Sequence, residues 1–401
     1  MQWLHNDLRN HSVRPWARAL WFVLALAGCG GGVDSGGTGA APQSYASGPI
    51  TGFGSVIVNG VRFDDSTASV SDGDGTPRSR DNLRLGMTTE IRGTTITTDA
   101  TGANLSTATS ISFGSDILGP VESIDAAGKQ LVVLGQTIGV NATTVFEDAR
   151  LSGGLAALTV GDVVEVYALF DASTSRYTAT RIERKGVVAA YRLRGLVSKL
   201  DPVAKAFNIG SERISYAQFI GSAPVTPANG SILRVRLETA KVAGVWVVAG
   251  LNDGASKPRD RDEVRLEGLI GTFTSPTQFS VNGVAVNASG ITPPAGLAAG
   301  VRVEVEGTAS GAVLMASKVK IKTPDDVENQ EFELRDRITS VDAPNLSFVL
   351  RGVTVSYSIV APATDFRNGT AANLAPGVNV EARGLLSADG ARLVAARVTF
   401  K

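Results

Sequence analysis

The sequence contains few of the side chains on which most enzyme chemistry depends. It has one cysteine, Cys29, and two histidines, His5 and His11, all close to the amino terminus. A single cysteine cannot form a disulfide within the chain. Beyond residue 28 there is one tryptophan, Trp246, which lies in an alternating strand and is expected in a core, so little aromatic surface remains for stacking on a ligand. No apolar run beyond residue 28 approaches the roughly 18 residues that cross a bilayer.

The amino-terminal residues have the organisation of a targeting segment. Three arginines lie between residues 9 and 18, and residues 19–27 form an apolar core that is too short to span a bilayer. The segment ends in Leu-Ala-Gly-Cys at Cys29, a spacing that resembles the bacterial lipobox. That resemblance implies that residues 1–28 are a lipoprotein signal peptide and that Cys29 is the lipidated first residue of the mature chain. An ordinary secretory signal with an incidental cysteine is the alternative.

The resemblance to the lipobox also predicts where in the cell the protein is located. Because Gly30 rather than aspartate follows Cys29, it argues against retention at the inner membrane. We therefore expect a bacterial cell-envelope protein, anchored by lipid at Cys29 and located at the outer membrane. Residues 29–47 are rich in glycine, alanine and serine and are expected to be a flexible tether without structure, with an end-to-end distance of roughly 20–25 Å.

Removal of residues 1–28 would leave a mature chain without histidine. Ser-His-Asp and Cys-His catalysis, histidine zinc sites and histidine general bases are then excluded, and no cofactor is expected. The full chain has 38 basic and 38 acidic residues; the segment takes three arginines and one aspartate, which leaves 35 and 37. A nearly neutral protein lacks the basic surface for nucleic acid, so we expect no nucleic-acid partner.

One pattern recurs along the chain: a leucine, a turn that ends in glycine, and a strand of alternating apolar and polar residues. The clearest copy, residues 297–307, reads Leu-Ala-Ala-Gly-Val-Arg-Val-Glu-Val-Glu-Gly. Its three valines share one face of the strand, as a period of two requires. The turn glycine is expected to supply a positive φ. Related copies are found at residues 83–93, 158–168 and 374–384, and a degenerate copy is found at residues 228–237.

A second pattern, of the type Gly-x-Val-x-x-Ile-Asp, opens each unit. Its copies start at residues 48, 119, 195, 268 and 336, so successive units begin 71, 76, 73 and 68 residues apart. Each unit continues with a hairpin, which is Asn-Gly at 59–60 and 282–283, then with the recurring pattern and a closing strand. These boundaries predict β-barrel repeats at residues 48–114, 115–186, 187–254, 262–322 and 331–401.

The predicted fold class is all-β: five tandem small antiparallel β-barrel domains, OB-like or SH3-like, after the signal peptide and tether. Units of about 70 residues are longer than solenoid repeats, and closure into a barrel leaves few free edges. Polar segments with proline at residues 254–260 and 323–330 are expected to separate the modules. A continuous β-solenoid is the alternative, and these segments count against it.

These motifs together resemble a known family. The lipobox, the stretch from Gly48 to Asp64, and the tandem Leu-x-x-Gly-x-x-Val-Glu-Val-x-Gly and Ala-Thr-Arg-Ile units resemble bacterial lipoproteins built from repeats of domain of unknown function 5666. The resemblance covers nearly all of residues 48–400. It implies a fold and an envelope location, but no catalytic residues. The third repeat departs most, because Arg234 stands where the others carry glutamate.

Two short motifs are candidate ligand sites. Asp72 and Asp74, separated by one glycine, resemble the opening of a calcium loop, because alternate carboxylates can converge on one cation. A polar hairpin tip is the alternative, since Arg78 and Arg80 would oppose a cation. Residues 52–54 (Gly-Phe-Gly) precede a hairpin rather than a helix, which argues against a phosphate loop.

Two sets of charged residues are the remaining candidates. One glutamate per repeat lies in the recurring strand, except in the third repeat: Glu90, Glu165, Glu304 and Glu381. These are expected to be separate and solvated, although paired carboxylates could hydrolyse a glycosidic bond. A basic run could bind an anionic partner such as a polysaccharide, with ordinary strand surface as the alternative; it comprises Arg181, Arg184, Lys185, Arg192 and Arg194.

The sequence therefore predicts a non-enzymatic envelope lipoprotein. Its repeated barrels would act as a spacer or as a multivalent binding scaffold for an envelope protein or polysaccharide, because linked weak sites gain avidity. The alternative is a carboxylate-dependent, histidine-free envelope glycan hydrolase. Repetition argues against the enzyme, since an active site breaks the symmetry of a repeat at one place.

Overall fold

The computed structural model describes residues 43–147, 149–219 and 225–401. Within them nearly all regular structure is β-strand, which confirms the all-β class; one short α-helix, α1 (Pro324–Glu328), and three 3-10 turns complete it. No helix in this part of the chain has the length and apolar character to cross a membrane. The predicted signal peptide, Cys29 and most of the predicted tether lie outside the described residues.

The strands form five modules in chain order. Module 1 contains β1 (Ser44–Phe53), β2 (Val56–Val58), β3 (Val61–Asp64), β4 (Ser69–Asp72), β5 (Pro77–Arg78), β6 (Thr88–Gly93), β7 (Thr97–Thr98) and β8 (Asn104–Phe113). Module 2 contains β9 (Ile117–Asp125), β10 (Gln130–Val133), β11 (Gln136–Gly139), β12 (Val145–Phe146), β13 (Val163–Asp171) and β14 (Arg176–Lys185). Module 3 contains β15 (Tyr191–Asp201), β16 (Ala206–Ile209), β17 (Glu212–Ser215), β18 (Ile232–Leu237) and β19 (Trp246–Asp253).

Modules 4 and 5 complete the chain. Module 4 contains β20 (Glu263–Ser275), β21 (Gln278–Val281), β22 (Val284–Asn287), β23 (Arg302–Ser310) and β24 (Val313–Ile321). Module 5 contains β25 (Phe332–Arg337), β26 (Ser340–Asp342), β27 (Ser347–Leu350), β28 (Val353–Ser356), β29 (Asp365–Arg367), β30 (Asn379–Leu386) and β31 (Leu393–Phe400). The 3-10 turns are at Arg80–Asn82, Gly154–Ala157 and Ala371–Asn373.

Every module closes into the same five-stranded barrel. In module 4, β20 pairs with β21, β21 with β22, β22 with β24, β24 with β23, and β23 again with β20. The third and fifth strands run parallel and the other pairs antiparallel. The equivalent strands of the other modules pair in this order, with β25 and β26 together forming the first strand of module 5. This is the strand order of an OB-type barrel, which confirms the predicted fold class.

The recurring pattern forms the turn before the fourth strand and most of that strand. Its turn glycine has a positive φ in every module, as predicted: 78° at Gly86, 94° at Gly161, 86° at Gly230, 80° at Gly300 and 88° at Gly377. The alternating apolar residues point into the barrel; Val303 and Val305, for example, are fully buried.

A β-bulge follows in every module, where the fourth strand pairs with the fifth. The register shifts immediately before the last residue of the pattern, at Gly93, Ala168, Leu237, Gly307 and Gly384. The fifth strand carries one extra residue at this point, which bends the strand and increases its local twist. At Gly384 an added Cβ would lie 1.9 Å from the carbonyl oxygen of Val394. Glycine ends the pattern there because the bulged strand approaches too closely for a side chain.

The modules are not separate domains on linkers, which corrects that expectation. β1 pairs in parallel with β20 of module 4 and with β25 of module 5, while β9 of module 2 pairs with β15 of module 3. Modules 1, 4 and 5 thus share one hydrogen-bonded sheet, and modules 2 and 3 another. The polar segments fold back on the barrels: Ser256 is buried, with its amide donating to Asn282, and residues 324–328 form α1.

The same pairing corrects the carboxyl-terminal end of the predicted tether. Residues 44–47 were expected to be unstructured, but they form the first half of β1 and lie between β6 and β20. Three of these residues, Ser44, Ala46 and Ser47, have small side chains, and the large ring of Tyr45 packs in the core of module 4; Tyr45 and Ala46 are completely buried.

Hairpin tips also connect the modules. Asn59, in the predicted Asn-Gly turn of module 1, donates to the carbonyl of Arg265 in module 4 at 3.0 Å. Gln136, at the equivalent turn of module 2, donates to the carbonyl of Ile209 in module 3 at 3.2 Å. A turn that the sequence marks only as a hairpin is therefore also a contact between barrels.

Candidate functional site

The predicted basic run lies where modules 1, 2 and 3 meet, and each of its five cations has a carboxylate partner. The pairs are Arg181–Glu183 (2.5 Å), Arg184–Asp162 (2.7 Å), Lys185–Glu165 (2.8 Å), Lys185–Glu183 (2.6 Å), Arg192–Asp74 (2.7 Å) and Arg194–Asp116 (3.0 Å). Arg181 also donates to the carbonyl of Leu85 in module 1 at 3.1 Å. The run therefore joins modules through neutralised charges and does not present the unpaired positive surface that an anionic partner would require.

The recurring glutamates are also held by neighbours, so the expectation that they are solvated is wrong. Glu165 contacts Lys185 at 2.8 Å, Glu304 contacts Lys322 at 2.6 Å, and Glu381 contacts Lys401 at 2.9 Å. In each case the lysine lies at or just beyond the end of the fifth strand, beside the glutamate on the fourth. Glu90 has no such lysine and accepts a hydrogen bond from Ser256 Oγ at 3.1 Å.

Both carboxylates of the predicted calcium site, Asp72 and Asp74, form ion pairs with arginines. Asp72 accepts from Arg78 at 2.7 Å and from the backbone amides of Asp74 and Thr76. Burial raises the pKa of Asp72, but Arg78 and the two amides outweigh it, and the net pKa lies below the usual value. Asp74 pairs with Arg192 across the module boundary. Among the described residues no group of three or more histidine, cysteine, aspartate or glutamate side chains is arranged to hold a metal ion.

A polar cavity of about 260 Å³ lies between modules 1, 2, 3 and 4. The hydroxyl residues Thr88, Ser112 and Ser256 line it, together with the charged residues Glu90 and Arg234. Arg234 is the residue that replaces the recurring glutamate in the third repeat. The cavity could not be found from the sequence, because its walls come from four modules.

A larger groove of about 860 Å³ runs between modules 2, 3 and 4. Its apolar lining includes Leu196, Ile232 and Val286, and hydroxyl and amide side chains such as those of Thr272 and Asn287 also line it. Of the described residues that line it, Asp253 is the one with a charged side chain. The groove covers the first three strands of module 4, and in OB-type barrels the face of strands two and three is a frequent ligand site.

The aromatic residues contribute little to either site. Trp246 is buried in the core of module 3, as expected, and packs edge to face on Tyr191 with ring centroids 5.8 Å apart. Phe170 and Phe279 line the groove but are buried. The described lining of the groove thus offers no exposed aromatic face of the kind that sugar-binding and single-strand-binding sites use.

The fold and these sites define an array of OB-type barrels joined through charged and hairpin contacts. The model of the family described as Domain of unknown function (DUF5666) matches residues 119–183, 267–320 and 337–399, which are modules 2, 4 and 5. The chain therefore carries tandem repeats of this domain, which confirms the predicted repeats; the lipoprotein part of the resemblance stays a prediction. Modules 1 and 3 have the same barrel topology but lie outside the three matches.

A solved structure described as drosophila Unr CSD456 has 15% sequence identity; the match covers 46% of this chain and 88% of that chain, with a TM-score of 0.15. No curated protein matches the chain. The assignment as OB-type barrels rests on the strand order.

Proposed function

We propose that this protein is a non-enzymatic lipoprotein of the bacterial cell envelope that acts as a rigid scaffold and binds a segment of another protein. The observation that carries the binding role is the groove, because ligand sites are concave, mostly apolar and in the range of 300–1,000 Å³. The pairing of β1 with two other modules supports the rigid scaffold. Lipid anchoring at Cys29 is proposed from the lipobox.

The chemistry of the groove favours a protein segment over the other partners. Phosphate backbones bind to lysine and arginine, and neither is found among the described residues that line the groove. Sugars stack on exposed aromatic rings, whereas Phe170 and Phe279 are buried. Aliphatic side chains of a peptide suit Leu196 and Ile232, and hydroxyls and amides suit its backbone.

The hydrolase alternative has one observation in its favour. Glu165 and Glu183 face the same cavity, lined also by Arg192, and share Lys185. A glycosidase needs one carboxylic acid that keeps its proton near neutral pH. Burial raises the pKa of Glu183, but Arg181 and Lys185 outweigh it and lower the pKa to about 2, so this side chain holds no proton to donate. The ion pairs of Glu183 with Arg181 and Lys185 therefore favour a structural role for this side chain.

The anchor is tested by Cys29→Ser. We expect this variant to lose incorporation of a labelled fatty acid and to move from the membrane pellet to the soluble fraction. Ser35→Ala, a substitution in the predicted tether, should leave both unchanged. A Cys29→Ser protein that still takes up the label and remains in the pellet after a carbonate wash would refute lipidation at this residue.

The groove is tested by Thr272→Glu, which puts a charge at an exposed position near the carboxyl-terminal end of β20, within the groove. We expect recovery of a cross-linked envelope protein to fall at least tenfold. Because Thr272 is exposed, the free energy of unfolding should change by no more than about 0.5 kcal/mol. Thr107→Glu, on exposed strand surface of β8, is the matched control and should bind normally. Equal recovery with both variants would place the partner elsewhere, and no recovery with the unmodified chain would leave only the spacer.

A further inference from the structure

The glutamate–lysine pair between the fourth and fifth strands is a property of modules 2, 4 and 5. In these modules the residue directly before the glutamate pairs with a residue of the fifth strand, and the lysine is the next residue along that strand's chain. The three lysines are Lys185, Lys322 and Lys401. These are also the modules that match the family model. The pair neutralises both charges within one barrel.

Modules 1 and 3 break this pair in complementary ways. Glycine replaces the lysine in both, as Gly114 and Gly254. Module 1 keeps the glutamate, Glu90, whereas module 3 has Arg234 at that position. Glu90, Arg234 and both glycines line the same polar cavity. The repeat is therefore altered at one place, where two barrels face each other.

The other charges of this cavity are already paired. Asp116 pairs with Arg194 at 3.0 Å, Asp253 with Lys257 at 2.6 Å, and Glu267 with Arg302 at 2.6 Å. Within the described part of the chain, neither Glu90 nor Arg234 has an oppositely charged side chain within 4.0 Å. One carboxylate and one guanidinium thus face the cavity without an ionic partner.

The guanidinium of Arg234 is held in a defined position. Its Nη1 donates to the carbonyl of Ser115 at 2.5 Å. An added Cβ would lie 2.7 Å from this nitrogen at Gly114 and 3.1 Å from it at Gly73, so the group rests directly on two glycine backbones. The remaining N–H groups have no partner among the described residues. A fixed guanidinium with free N–H groups can bind a carboxylate through two parallel hydrogen bonds.

We propose that this cavity binds a small zwitterion of the amino-acid type, with its carboxylate on Arg234 and its ammonium on Glu90. The hydroxyls of Thr88, Ser112 and Ser256 provide further hydrogen bonds for the polar ends. At about 30 Å³ per water molecule, a cavity of about 260 Å³ has room for a ligand of roughly eight non-hydrogen atoms. A simple anion would leave Glu90 unpaired, and a simple cation would leave Arg234 unpaired.

The experiment is calorimetric titration of the full chain, purified in detergent, with glycine, alanine, β-alanine and γ-aminobutyrate. These probes carry both charges at increasing separation; acetate and ethylamine carry one charge each. We expect at least one zwitterion to bind at least tenfold more tightly than acetate and ethylamine, and to raise the melting temperature. Binding of acetate as tight as that of every zwitterion, or no binding by any of the four, would overturn the proposal.

Variants test whether Arg234 binds the carboxylate of the zwitterion and Glu90 its ammonium group. Arg234→Gln and Glu90→Gln should each weaken zwitterion binding at least tenfold, and Arg234→Lys should bind with intermediate affinity because it keeps the charge but not the two parallel donors. Arg236→Gln, on exposed surface of the same strand β18, should bind as the unmodified chain does. If Arg234→Gln does not fold, Arg234→Lys and Glu90→Gln still decide the matter: unchanged affinity in both would contradict the assignment.

Discussion

Glu183→Gln is expected to lower the free energy of unfolding by about 3 kcal/mol, because it leaves a buried guanidinium without its charge partner. Arg181 is 5% exposed and its Nε lies 2.5 Å from Glu183, whose other oxygen contacts Lys185 at 2.6 Å. Urea unfolding followed by far-UV circular dichroism measures the change. Asp201→Asn alters the exposed pair between Asp201 and Arg213 and should cost no more than about 1 kcal/mol.

The same variant predicts a pH dependence with a definite sign. The pKa of Glu183 falls from 4.5 to about 2 in the folded protein, so its carboxylate stabilises the fold fully above pH 4.5 and loses this effect as pH falls towards 2. The difference in unfolding free energy between the unmodified chain and Glu183→Gln should therefore shrink across that window. A difference that stays constant from pH 7 to pH 2 would contradict the charge pairing.

Gly384→Ala is expected to destabilise module 5 by about 3 kcal/mol, because the new methyl group has no space. Its Cβ would lie 1.9 Å from the carbonyl oxygen of Val394, on the fifth strand beside the bulge. The backbone of β30 or β31 would have to move to accommodate it. The measurement is the shift in the urea midpoint.

Gly290→Ala is the matched control for this close approach. Gly290 has no atom within 4 Å of an added Cβ and does not have a positive φ, so alanine there should be neutral or slightly stabilising. If Gly384→Ala unfolds at the same urea concentration as Gly290→Ala, the bulge does not explain why the pattern ends in glycine.

The barrel of each module could be predicted from the sequence because its determinants are local. The alternation in residues 297–307, the turn glycine at 300 and the Asn-Gly at 282–283 each act within a few residues, and the structure places all of them as expected. The only trace of the β-bulge in the sequence is the glycine that ends the recurring pattern. Its cause is a contact with the fifth strand, which the pattern itself does not contain.

The contacts between modules could not be predicted from one sequence. A lysine or arginine on a strand looks the same whether it faces solvent or a carboxylate from another barrel, so the run from Arg181 to Arg194 looked like a surface. Arg234 is the exception, because the other repeats have glutamate at this position and the difference can be seen in the sequence. What it faces, however, depends on how modules 1 and 3 meet.

The double pairing of β1 has a consequence for the order of events during biosynthesis. Residues 44–47 and 52–53 hydrogen-bond to strands that begin at Glu263 and Phe332, so these edges stay open until most of the polypeptide has been made. Unpaired edges of this kind invite association with other chains. β1, the first of the described strands, is thus among the last of them to find all its neighbours, and a nascent chain that stalls before Phe332 leaves these edges open to misassembly.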